Sequence, residues 1–256
     1  MDLRVKSGFG SRPLFATMAP GRLLDIPAGA GGESLMLIER GFDVVSLDLT
    51  PRGNEMNRLK WLCADANYPF PLRGGSFDYV LSREGIEHLE NQTGFIQECA
   101  RVIRPGGALI ITTPNMTHLS ARASLFLTGQ RNLRRGLINE VQTPRANHGA
   151  HNYHGHVFMI DYFRLRYLMR LAGFEQLEVY TDRFSPTSMA MAWLAPFIYG
   201  ACRFSVWTAE RRARQKGHGS TPAAVTSEII RHIMSGALLF GKRMIIVARR
   251  NQPAPR

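Results

Sequence analysis

Leu23-Leu24-Asp25-Ile26-Pro27-Ala28-Gly29-Ala30-Gly31-Gly32-Glu33 decides the fold. Two apolar residues end a short strand, an acid follows, the chain turns tightly through glycines, and a helical stretch from Ser34 to Glu39 begins. Twenty-three residues after Asp25, a second strand, Val44-Val45-Ser46-Leu47, ends in another acid, Asp48. This is a β-turn-α-β unit of the kind that binds a nucleoside-containing ligand. Glycines let the backbone approach the ligand, and the acid closing the second strand accepts hydrogen bonds from ribose hydroxyls.

The loop also narrows the choice of ligand. A dinucleotide fingerprint needs three glycines; Gly29 and Gly31 fit the first two, but Ser34 stands in the third place. Asp25 lies four residues before Gly29, where a carboxylate would repel a pyrophosphate. It suits a cationic ligand carrying an ammonium and a sulfonium, which S-adenosylmethionine (SAM) does. Taken alone, the stretch could also be a glycine-rich turn of some other α/β protein.

The rest of the first half continues the pattern. Cys63-Ala64-Asp65-Ala66 puts an acid at the end of a third strand, and Ser76 to Ser82 reads as a fourth that runs into Glu84-Gly85-Ile86-Glu87-His88. A helix from about Thr93 to Val102 is expected to stop at Arg104-Pro105-Gly106-Gly107, before an apolar strand, Ala108 to Thr113, that ends in Pro114-Asn115. Strands alternating with helices predict a parallel sheet with ligands at its carboxyl edge.

In this order the motifs resemble those of the class I SAM-dependent methyltransferases, and most nearly a broad bacterial group. The likeness covers about Arg22 to Asn115, and more weakly His156 to Tyr180 and Lys242 to Arg249. It implies an α/β fold: a doubly wound, Rossmann-like, seven-stranded, mostly parallel sheet with an antiparallel last strand, plus helical insertions. It implies SAM as cofactor and S-adenosylhomocysteine (SAH) as product. Asp25, Ala28, Gly29 and Gly31 would surround the methionine moiety. Asp48 would take the ribose hydroxyls with Leu49 near the adenine, Asp65 and Ala66 would meet the adenine, and Ser82 and Arg83 would flank the sulfonium. The side chain of Arg83 would turn away from that cation, or toward a carboxylate of SAM or the substrate. Pro27 departs from the family's usual glycine and leaves the first turn stiffer and one N–H donor short.

Composition agrees. The 256 residues are 45% hydrophobic and suffice for one large domain with a substantial core. Three scattered cysteines, Cys63, Cys99 and Cys202, form no metal spacing and fit a reducing compartment, and the first residues lack the apolar core of a signal peptide. A cytoplasmic location, possible on the inner membrane surface, is the expectation. Charge is uneven: residues 1–117 carry 12 Lys+Arg against 13 Asp+Glu, whereas residues 118–256 carry 20 against 7. The basic half is either a solvated face or the face for an anionic partner, namely a phosphorylated substrate, a membrane surface or nucleic acid.

The expected organisation is a lead-in or lid over 1–20, a cofactor-binding core over 21–183 and 242–250 with a substrate cap at 116–155, and a helical insertion over 184–241. The cap carries Arg122, Arg131, Arg134, Arg135 and Arg145 with His118, His148, His151, His154 and His156. The spacing His148-x2-His151-x2-His154-x-His156 invites a metal, but no carboxylate or cysteine lies among these residues, so substrate contact or catalysis by one histidine is favoured and no metal site is assigned. In the insertion, Met189 to Cys202 is apolar and precedes Arg211-Arg212-Ala213-Arg214-Gln215-Lys216. It is short of the roughly 20 apolar residues of a span and contains Pro196. A buried or lid helix, or one lying on an anionic membrane surface, fits better. A second helix is expected from about Ala223 to Phe240.

Methyl transfer to a hydroxyl needs alignment and gains from a base, for which His88, His154 and His156 are the candidates. The resulting expectation is O-methylation of a small or lipid-linked saccharide-type acceptor in cell-envelope biosynthesis. An RNA methyltransferase is the alternative, weakened because no RNA-binding module or aromatic-basic stripe accompanies the charge. A methyltransferase-like scaffold without turnover is the other.

Overall fold

The computed structural model describes residues 15, 17–51, 59–131, 157–217, 219 and 221–251. Strands β1 (Arg22–Asp25), β2 (Asp43–Asp48), β3 (Lys60–Cys63), β4 (Phe77–Arg83), β5 (Ile103–Pro114), β6 (Phe174–Tyr180) and β7 (Arg243–Arg250) form one sheet in the order β3-β2-β1-β4-β5-β7-β6. β1, β2, β3, β4 and β5 pair in parallel; β7 runs antiparallel to both β5 and β6. The seven-stranded, mostly parallel sheet with a reversed last strand is therefore present. Strand order turns back between β1 and β4, which opens a crevice at their carboxyl ends.

Helices α1 (Gly32–Glu39), α2 (Gln92–Val102), α3 (Leu119–Thr128), α4 (Tyr162–Leu171), α5 (Pro186–Ala190), α6 (Ala195–Gln215), α7 (Ala223–Ile233) and α8 (Gly236–Phe240) flank or extend the sheet. Successive strand residues point to opposite faces, and both faces are covered. Leu23, Val44, Leu81, Ile110 and Ile245 pack with Phe15, Phe42 and Leu37 of α1. Leu24, Val45, Val80, Leu109, Ile111 and Ile246 pack with Phe95 and Cys99 of α2, Leu165 and Met169 of α4, and Ile233 of α7. That is why the strands read as near-continuous apolar runs rather than alternating ones.

Three expectations need correction. Arg104-Pro105-Gly106-Gly107 lies within β5 rather than between a helix and a strand. Phe77 aligns with Ile103 and Tyr79 with Ala108, so the motif bulges out of a continuous ladder, as expected where proline supplies no N–H. The apolar run Met189 to Cys202 is not one segment. It is shared by the end of α5, a 3-10 turn at Ala192–Leu194 and the start of α6, and Pro196 sits in the first turn of α6, where its missing N–H costs nothing. The basic run therefore continues the same helix, and no residue of α6 is buried. Finally, the stretch 223–240 breaks at Met234-Ser235, where the Ser235 hydroxyl caps α8 by accepting from Leu238 N.

The insertion closes on itself. Lys242 N donates to Arg183 O at 3.0 Å and Ser185 N to Phe240 O at 2.7 Å, which prolongs the β6–β7 hairpin and gives 184–241 a stem. Of the lead-in, the described end is part of the core: Phe15 is buried edge-on against Phe42, with ring centres 5.8 Å apart.

Candidate functional site

β1 ends in Asp25 at the crevice, and the loop to α1 turns on Gly31, whose φ of +75° favours glycine. Asp25 is buried and accepts a 2.6 Å hydrogen bond from Ser34 Oγ, which in turn accepts one from Ser46 Oγ at 2.8 Å. Burial pushes the Asp25 carboxyl up to about 7, partly offset by the Ser34 bond. Ser34 thus has a role that its place in a failed glycine pattern did not reveal: it orients the acid at the heart of the loop. Its spacing of nine from Asp25, one helical turn past the glycines, was the available signal.

The second acid closes the loop from the other side. Asp48 Oδ2 accepts from Gly29 N at 2.8 Å and Oδ1 from Thr50 N at 3.0 Å, while Ala28 N donates to Leu47 O at 3.0 Å. Asp25, Ala28, Gly29, Gly31 and Asp48 therefore converge as one unit. Leu49 follows Asp48, and its carbonyl accepts from Cys63 Sγ at 3.2 Å. Asp65 stands just past β3 and accepts from Asn67 N and Asn67 Nδ2 at 2.9 and 3.0 Å; Ala66 beside it is buried. Three carboxylates thus sit at the carboxyl ends of three adjacent parallel strands.

The far wall comes from β4. Ser82 is fully buried and its Oγ has no hydrogen-bond partner, whereas Arg83 turns away to form an ion pair with Glu33 at the start of α1. Gly85 packs against Pro27: a Cβ there would come within 2.2 Å of the proline ring, so the two loops lining the crevice touch only because position 85 has no side chain.

The turn Ile86–His88 follows. His88 is half-buried, and its neighbour Glu87 is an acid held out of water. Glu87 is fully buried, accepts from Thr113 Oγ1 at 3.0 Å through Oε2, and leaves Oε1 unpartnered. Burial, then the nearby Glu84, raises its carboxyl to about 7. Sequence reading singled out the histidine, because burial of the acid depends on β5 and on Phe158, whose N–H donates to Glu87 O at 3.2 Å.

Of the cap histidines, His118 is structural. Its Nδ1 caps α3 by accepting from Ala121 N and contacts Ser188 Oγ of α5 at 2.9 Å; burial lowers its pKa to about 4, so the ring is neutral at pH 7. Arg122 donates to the backbone carbonyl of Thr117 and Arg131 to those of Asn115 and Lys242. His148, His151, His154, His156, Arg134, Arg135 and Arg145 lie outside the described residues. Among the described residues no three His, Cys, Asp or Glu side chains are grouped to hold a metal, and no helix is long and apolar enough to cross a membrane.

A family model described as a methyltransferase domain matches residues 9–179. The chain is similar to the ubiquinone biosynthesis O-methyltransferase of Xanthomonas oryzae pv. oryzae, with 31% identity over 140 residues, 51% of this chain and 55% of that one. It is also similar to the chloroplastic tocopherol O-methyltransferase of Arabidopsis thaliana, with 29% over 123 residues, 44% of this chain and 35% of that one. The chain spans about half the length or less of these curated relatives. Among solved structures, a SAM-dependent methyltransferase of Archaeoglobus fulgidus aligns with a TM-score of 0.54 at 14% identity, over 94% of this chain and 91% of that one. One of Thermotoga maritima aligns with 0.53 at 16%, over 94% and 87%. At such identities these two show the shared fold.

Proposed function

The chain belongs to the methyltransferase-domain family of SAM-dependent enzymes, and from that premise we propose that it methylates a hydroxyl on a small or lipid-linked acceptor. The observation that carries this reading is the placement of Asp25, Asp48 and Asp65 at the ends of three neighbouring strands around a glycine turn. The residues fit SAM: an acidic crevice suits its cationic end, Asp48 beside Gly29 would take the ribose hydroxyls, and the buried, unpartnered Ser82 Oγ lies in the opposite wall. When bound, SAM supplies an activated methyl group on a sulfonium. The protein's part is to hold the acceptor in line and exclude water, which is the larger share of such catalysis.

Asp25 and the loop amides grip the methionine end in this reading, Leu49, Asp65 and Ala66 surround the adenine, and the Arg83–Glu33 pair keeps a positive charge from facing the sulfonium. His88 accepts the hydroxyl proton; His154 and His156 are further candidates for that task. Glu87, buried next to His88 with one oxygen unpartnered, is a second proton acceptor. The curated relatives are named for O-methylation in ubiquinone biosynthesis and of tocopherol, which supports a hydroxyl-bearing small molecule over RNA. A saccharide head on a lipid carrier is the more specific acceptor proposed from the basic, apolar second half, and a lipid carrier places the enzyme at the inner membrane surface.

The test is transfer of labelled methyl from SAM to lipid-extracted acceptors, to simple phenols and sugars, and to bulk RNA. Label on oxygen in the lipid or small-molecule fraction is expected. Label in RNA alone, or SAM binding with no transfer to any fraction, would overturn the reading.

A further inference from the structure

α6 carries two apolar stripes, and among the described residues only the inward one is packed. Inward, Ala195 and Ile198 pack with Leu119, Phe184, Met191 and Phe240, and Cys202 against the main core. Outward, Phe197, Phe204 and Trp207 recur at helical spacing along one line, with Trp193 of the preceding 3-10 turn against Phe197; Trp193, Phe197, Phe204 and Trp207 are 66%, 70%, 65% and 52% exposed. Arg211 and Arg214 continue that same line in the last turns. The aromatic rings pair with one another, 6.5 Å apart for Trp193–Phe197 and 5.7 Å for Phe204–Trp207, and the Arg211 guanidinium lies over the Trp207 ring at 5.6 Å. The one acid in the helix, Glu210, is half-buried and within 4.0 Å of Arg214, while Arg203, Arg211, Arg212 and Lys216 are exposed.

We infer that this outward face of α6 is a docking surface for an anionic lipid bilayer, with the helix lying in the plane of the interface. Aromatic rings belong at the boundary between headgroups and acyl chains, and arginines long enough to reach up from an apolar surface bind phosphates there. Charge complementarity selects this occupant. A second copy would bring its own arginines against these, in a half of the chain holding 20 basic and 7 acidic residues. The helix also stands on the correct side. Its inner face rests on Leu119, four residues past the Asn115 that follows β5, and the Asn115 side chain is fixed to the carbonyls of Leu238 and Gly241 in the same insertion. Delivery of a lipid-borne acceptor from that surface to the crevice rests on the enzymatic reading above; the contact with lipid does not. The surface lies beyond the residues matched by the family model.

The experiment uses the full chain with vesicles of phosphatidylcholine alone and of phosphatidylcholine mixed with phosphatidylglycerol. Co-sedimentation with the mixed vesicles is expected, weakening as salt is raised. Trp193 and Trp207 emission should shift to the blue and be quenched by bromine on the acyl chains, in a Trp61→Phe background. Phe204→Ser with Trp207→Ser should weaken binding by about tenfold or more, with SAH binding unchanged because neither residue lines the crevice. Failure of the wild type to sediment with the mixed vesicles would overturn the inference. So would equal sedimentation of the double variant, or a dimer in light scattering that the same substitutions dissociate. Vesicle binding without any SAH binding would support this surface while contradicting the enzymatic reading.

Discussion

At the residue scale, the site depends on where each carboxyl finds its hydrogens. Asp48 holds Gly29 N and is the residue assigned to the ribose. Removing a charged acceptor of two ribose hydroxyls costs about 1.5–3 kcal/mol or more, so Asp48→Ala should weaken SAH binding by about 10- to 100-fold by calorimetry. The variant should still fold, since Asp48 is only half-buried. Glu87 makes a different prediction. It keeps its proton in the folded chain up to about pH 7, but loses it near the ordinary 4.5 when unfolded. Between these values the folded chain holds more protons, so stability falls as pH rises through the window. Glu87→Gln has no proton to lose and keeps an acceptor for Thr113. Urea unfolding should show it gaining about 1–3 kcal/mol over wild type at pH 8 relative to pH 4. An unchanged difference would mean that Glu87 is not buried as described.

At the element scale, α3 is poised to loosen in acid. His118 caps it only while neutral, and its folded pKa of about 4 lies below the ordinary 6.5. The stabilisation is complete above pH 6.5 and is lost as pH falls toward 4. Hydrogen exchange in 119–128, corrected for intrinsic rates, should therefore quicken over that range in the wild type and much less in His118→Asn, which caps without titrating. The loop pair offers a packing test: Gly85→Ala drives a methyl into Pro27 and should destabilise by about 1–3 kcal/mol by thermal or urea unfolding. Elements with local signatures were legible in sequence. The strand-turn-helix around Gly29 and Gly31 and the helix over 162–171 are set by neighbours in the chain. The bulge at Arg104 to Gly107 was not, because turn residues look the same whether they end a ladder or loop out of it. The burial of α6 was left open in sequence for a related reason. Pro196 breaks a helix only in its interior, and the exposure of Trp193 to Trp207 is decided by what the inner stripe packs against.

For the whole molecule, the mostly parallel sheet was readable, since alternating strands and helices leave few ways to wind; its strand order came from the structure. The positions of Asp25, Asp48 and Asp65 were readable too, being strand ends. Ser34 and Glu87 were not, because their roles arise from burial by distant segments. The function of the basic half was readable only as a sign of charge. Arg122, Arg131, Arg166, Arg170 and Arg243 turn out to bind backbone carbonyls or internal acids, whereas Arg203, Arg211, Arg212 and Arg214 of α6 are exposed. The measurement that tests the central claim most directly is thermal unfolding with SAH, SAM and NAD in parallel. Ligand at about 100 times its dissociation constant adds about 2.7 kcal/mol, or about 5–10 °C for a chain of this size. A rise with SAH and SAM and none with NAD is the predicted result; a rise with NAD, or none with SAH and SAM, would contradict it.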